Sequence, residues 1–152
     1  MTLEQTLSNL EQKIAYFDVV NLNESAKGVA WHIDHSLKVI NGVILTLKNS
    51  NPTEFQWKFN AARVYFLTKG SFPRGKAKAP KSVMNDDTIM IDDVLAQLGK
   101  AKMLVSELHT INSKSNFKHP FFGLLNLRMT IRFLKIHTNH HIKIIDDIIG
   151  RT

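Results

Sequence analysis

Apolar residues recur at helical spacing from the start of the chain. Leu3, Leu7, Leu10, Ile14 and Phe17 fall three or four positions apart, which lines one face of a helix. Thr2 is placed to cap that helix, and Gln5, three residues on, can complete a capping box, with Glu4 favouring the positive end of the helix dipole. Asn21–Ser25 breaks the pattern. Ser25 then reads as the N-cap of a second helix over 26–48, with Ile33, Leu37, Ile40 and Ile44 on its far side, so this helix is expected to be buried on more than one face.

Asn49-Ser-Asn-Pro-Thr53 is a stop followed by a new start. The stripe Phe55, Phe59, Ala62, Phe66 predicts a third helix over 54–67. Two prolines and two glycines make 70–80 a loop. Val94, Leu95, Leu98, Leu104, Val105 and Leu108 predict a fourth helix over 91–109. Asn112–Pro120 is polar and reads as a loop, and a last helix over 124–149 closes at Gly150. With no strand pattern and no internal repeat, the expectation is a single all-α domain over 1–152. Its architecture would be an antiparallel four-helix bundle with one accessory helix and a long basic loop.

Composition sharpens this little. At 43% apolar and 22% charged the chain is an ordinary globular domain. The absence of cysteine matters more: any metal must be held by nitrogen or oxygen, and neither a disulfide nor a thiolate nucleophile is available. No apolar run approaches the roughly 20 residues of a membrane span. Met1-Thr-Leu-Glu-Gln5 lacks the features of a secretory signal, so a cytoplasmic location is the default expectation.

The net charge of +7 raises nucleic acid as a partner. However, Lys69, Arg74, Lys76, Lys78 and Lys81 sit in one loop, and most other basic residues stand singly on helix faces. Nucleic acid is therefore not the expected partner. The loop reads first as a solubilising, solvated segment, and second as an attractor for an anionic small molecule, with Arg74 between Pro73 and Gly75 the residue best placed for a specific contact. Asp86, Asp87, Asp92 and Asp93 read as caps and first-turn charges.

The candidate chemistry lies in the histidines. His137 and His141 are one helical turn apart, on the stripe that continues through Ile144 and Ile148, while His140 lies about 60° to the side. Two imidazoles on an apolar stripe need partners where few exist. A histidine from the Trp31-His32-Ile-Asp-His35 segment of the second helix, His32 or His35, would complete a three-nitrogen site with room for water or substrate. Gly28 and Gly42 lie within about 40° of His35 and would leave space beside it. Asp34 points about 100° away from His35, too far to orient it. Without a glutamate after His137 this is no His-Glu-x-x-His protease. Zinc or nickel suits three imidazoles and magnesium does not. His119, before Pro-Phe-Phe-Gly123, is a candidate acid, base or substrate contact, with loop packing as its plainer role. Phe121 and Phe122 would line a pocket or anchor that loop, and Trp31 and Trp57 read as packing residues.

The histidine within Val29-Ala-Trp-His-Ile-Asp-His35, the late segment His137-Thr-Asn-His140-His141, and the stretches Phe72–Pro80 and His119–Gly123 together resemble the DinB/YfiT-like superfamily of metal-dependent four-helix-bundle proteins, over nearly the whole chain. That resemblance implies a DinB-type bundle with a metal triad of His35, His137 and His141, and with His32 as the competing ligand. It also implies hydrolysis or transfer of a low-molecular-weight thiol. Many relatives carry glutamine three residues after the last histidine, where this chain has Ile144. The expected function is thus a metal-dependent hydrolase or thiol S-transferase acting on a small anionic or thiol substrate. The alternative is a non-catalytic binding or dimerisation module, a homodimer for instance, that keeps the fold without the chemistry.

Overall fold

The computed structural model describes residues 1–74 and 88–150. Lys76, Lys78, Lys81, Asp86 and Asp87, and with them most of the expected basic loop, lie outside that range. The described chain is mostly helical, with helices α1 (Leu3–Gln12), α2 (Val29–Asn49), α3 (Ala61–Lys69), α4 (Ile91–Ser106) and α5 (Leu127–Ile148). No helix among the described residues is long and apolar enough to cross a membrane.

The first helix begins as its sequence predicts. Gln5 N–H donates to Thr2 Oγ1 (3.2 Å), and Thr2 N–H donates to Gln5 Oε1 (2.8 Å). Leu3, Leu7 and Leu10 are buried, while Ile14 and Phe17 pack against the core from the short 3-10 turn Lys13–Tyr16 and the residue after it. The second helix starts three residues later than expected. Its first N–H groups are taken by backbone, Val29 N–H by the Val19 carbonyl (3.0 Å) and Ala30 N–H by that of Phe17 (3.2 Å). Ser25 is therefore not the cap, and Gly28 takes that position. A Cβ on Gly28 would stand 2.8 Å from Val20 Cγ2 and 3.2 Å from the Val19 oxygen, so glycine is what lets that returning strand of chain approach.

Helices α1, α2, α4 and α5 pack on one another, and α3 rests against α5. Ile33, Leu37, Ile40, Ile44, Leu104, Leu134 and Ile145 form one continuous core between them. The expected antiparallel arrangement holds for α2 and α5, where His32 meets His141 and His35 meets His137. It does not hold for α2 and α4. Gln97 donates to Asp34 and Lys48 pairs with Glu107, so these two helices run in the same direction. The connection between them, containing α3 and the 70–90 segment, is long enough to carry the chain back before α4 begins.

Four further expectations need correction. The third helix covers 61–69 and not 54–67. Asn60 caps it by accepting from Arg63 N–H (2.8 Å), leaving Trp57 and Phe59 exposed and only Phe66 of the aromatic stripe packed on the core. Trp57 is thus a surface ring, approached by the Arg63 guanidinium at 5.8 Å, rather than a packing residue. Leu95 is exposed, on the outer face of α4.

The fourth correction is to the all-α class itself. Asn116–His119 and Gly123–Asn126 pair as antiparallel strands β1 and β2, with Phe117 opposite Leu125 and His119 opposite Gly123. Gly123 closes the turn at φ +69°. Buried Arg63 braces the hairpin, donating to the carbonyls of Phe122 and Leu124 (both 3.2 Å) and to that of Lys58. Asn126 ends β2 and at once caps α5 by accepting from Met129 N–H (3.0 Å).

Candidate metal centre

The helix that follows carries His137 and His141 one turn apart, and α2 faces it with His32 and His35. One nitrogen from each of His35, His137 and His141 lies within 4.8 Å of the other two, so the cluster could hold a metal ion. The ring centroids stand 5.2 Å apart for His35 and His137, and 4.7 Å for each of the other two pairs.

The donor set fits zinc or a similar ion in two respects. First, His35 Nε2 and His137 Nε2 are 3.3 Å apart. Two nitrogens bound at zinc's usual roughly 2.0–2.1 Å sit about 3.3 Å apart along a tetrahedral edge. Second, burial, reinforced by the neighbouring histidines, holds His137 and His141 well below the ordinary histidine range, which leaves neutral rings with a lone pair to offer. On the other side of the His137 ring, Nδ1 is buried with no hydrogen-bond partner among the described residues. Leaving such a group unsatisfied costs about 1–3 kcal/mol.

Surrounding groups fix the rings. Trp31 lies flat on His35, centroids 4.8 Å apart and planes 5° from parallel, while Phe133 flanks His137 at 5.6 Å. Asp34, buried beside His35, is engaged elsewhere: it accepts from Gln97 Nε2 (2.8 Å) and from Lys38 Nζ (2.6 Å). His32 is drawn into the cluster too, its Nδ1 2.9 Å from His141 Nδ1, and burial pushes its pKa down to about 4. The spacing of residues 28–42 misleads on both glycines, and at Gly28 the Val20 side chain and Val19 carbonyl fill the space expected beside His35. Gly42 is exposed with nothing within 4 Å of its Cβ position, so it opens no pocket beside His35.

His119 sits at the hairpin turn with its Nδ1 accepting from Phe121 N–H (3.1 Å) and Phe122 N–H (3.2 Å), and its ring stacked on Phe122 at 4.3 Å. Burial lowers its pKa to about 4. Its Nδ1 organises the turn, which is the plainer of its two expected roles. Phe122 is buried and anchors the loop, whereas Phe121 is exposed. Arg74 pairs with Asp147 on α5. It also lines a cavity of about 120 Å³ with Ser71, Asn139, His140 and Lys143. Burial and the Arg74 charge push the pKa of His140 down. The His140–His141 ring contact (5.3 Å) places this cavity beside the histidine cluster.

Comparison of the chain with protein-family models, with curated proteins and with solved structures returned no match. The geometry of the cluster is therefore what a functional reading rests on.

Proposed function

We propose that this protein is a DinB-like, metal-dependent enzyme, a hydrolase or thiol S-transferase, in which His35, His137 and His141 hold zinc or nickel. The carrying observation is the convergence of three imidazoles, two of them at the separation of a tetrahedral edge. A divalent ion there would supply Lewis acidity, lowering the pKa of a bound water or thiol. The chain's own residues would do the rest. Trp31 holds the His35 ring in place, and Lys143, beside the Arg74–Asp147 pair, presents positive charge to an anionic group entering the cavity beside His140. The substrate is thus a small molecule, anionic or a thiol.

A second reading, a binding module without chemistry, draws support from Ile144, which is buried and apolar where glutamine would be expected of the family, and from the exposed rings of Trp57 and Phe59. One experiment separates the two. Elemental mass spectrometry on untagged protein should find near-stoichiometric zinc or nickel that disappears in a His137→Ala/His141→Ala double variant. Wild-type protein that takes up no metal, even on reconstitution, would sink the enzyme reading.

A further inference from the structure

His32 and His35 lie on the same side of α2 and both reach α5, yet their contacts differ in kind. The 3.3 Å between His35 Nε2 and His137 Nε2 suits two ligands of one ion. The 2.9 Å between His32 Nδ1 and His141 Nδ1 suits an N–H···N hydrogen bond. Two lone pairs cannot face each other at that distance, so one of these nitrogens carries a proton. We infer that His32 is not a ligand but the positioning residue of the site, the middle member of a chain Ser25–His32–His141 that fixes the tautomer of His141 and aims its Nε2 at the metal. The inference rests on the metal reading above.

The direction of the chain follows atom by atom. To ligate through Nε2, a neutral His141 must carry its proton on Nδ1, and so donates to His32 Nδ1. His32 then carries its own proton on Nε2, which faces Ser25 Oγ at 3.0 Å. Ser25 Oγ also accepts from Lys27 N–H (3.2 Å), so both of its lone pairs are used. Reversing the chain would put the His141 proton on Nε2, where it would block the metal. Ser25, which does not cap α2, has this task in place of capping. Histidine ligands of metals commonly donate their second N–H to such a partner, and loss of the partner weakens metal affinity about 10–100-fold.

The test uses cobalt(II) as the probe, titrated into metal-free wild type, His32→Leu, His32→Gln, Ser25→Ala and His141→Ala. Leucine offers no acceptor, while the glutamine Oε1 can accept from His141 Nδ1. We expect His32→Leu to bind cobalt about 10–100-fold more weakly, with unchanged stoichiometry and visible band shape. Glutamine should recover most of the affinity, and Ser25→Ala should show a smaller loss. An unchanged affinity in His32→Leu would overturn the inference. So would loss of the site, or an altered band shape, in both His32 variants, because His32 would then be a ligand. A wild type that binds neither cobalt nor zinc would end the metal reading and this inference with it. Long-range proton–nitrogen NMR of the zinc-loaded wild type gives a check that needs no variant: the His141 proton must lie on Nδ1 and the His32 proton on Nε2.

Discussion

Acidification from pH 7 to pH 5 should destabilise the metal-free protein severely. His32 and His119 are both pushed down to about 4 by burial, from an unfolded value near 6.5. Between those values the unfolded chain binds protons that the folded chain refuses, so stability is full above about pH 6.5 and is lost as pH falls towards 4. Linkage gives about 2 kcal/mol lost per such histidine between pH 7 and pH 5, and somewhat less for His119, whose ring is only partly buried. His137 and His141 move in the same direction, but their mutual repulsion makes their protonation steps those of a coupled cluster, not a simple sum. The expected loss is thus roughly 4 kcal/mol or more, a large share of the 5–15 kcal/mol typical of a whole domain. Urea unfolding followed by far-ultraviolet circular dichroism, at pH 7, 6 and 5 with a chelator present, measures it. Replacing His119 with Asn, whose oxygen can take over the Phe121 and Phe122 N–H groups, should reduce the slope. A urea midpoint that stays constant or rises on acidification would refute the assignment of these rings as buried and neutral.

Zinc at 100 times its dissociation constant should add about 2.7 kcal/mol to stability, seen as a raised melting temperature that His141→Ala abolishes. Gly28→Ala and Gly42→Ala should have opposite signs. The first forces a Cβ against Val20 and the Val19 carbonyl and should cost about 1–3 kcal/mol, while the second adds helix propensity in open space and should gain up to about 1 kcal/mol, both read by thermal melts. Arg63→Lys should cost about 2–4 kcal/mol in urea unfolding, because an ammonium cannot span the Lys58, Phe122 and Leu124 carbonyls that the guanidinium fork satisfies.

What could be read in the sequence tracks where local rules decide the outcome. The capping box at Thr2, the apolar stripes of α1, α2 and α5, and the one-turn spacing of His137 and His141 depend on short-range geometry, and each is found where the pattern puts it. The aromatic stripe at 55, 59, 62 and 66 has helical spacing too, but Asn60 starts the helix after most of it. There the competing signal was a single side chain capping Arg63 N–H, which periodicity does not register. The hairpin was missed for a related reason. Four-residue strands offer too few alternations to stand out, and the Phe122 and Leu124 carbonyls are met by Arg63, more than fifty residues away in sequence.

The same distinction governs the site. Helical rotation brings His32 and His35 both within reach of α5, and rotation alone cannot separate the proposed ligand from its proposed supporting partner. That separation depends on a difference of a few tenths of an ångström between two nitrogen pairs, 2.9 Å and 3.3 Å, set by how α2 and α5 pack antiparallel. Ser25 carries the point further. As a residue type ahead of a helix it looks like a cap, and the backbone carbonyls of Phe17 and Val19 displace it from that role because Gly28 lets them approach. One glycine without a side chain thus frees a serine hydroxyl to meet His32, and so links the local geometry at the start of α2 to the orientation of a ring on α5.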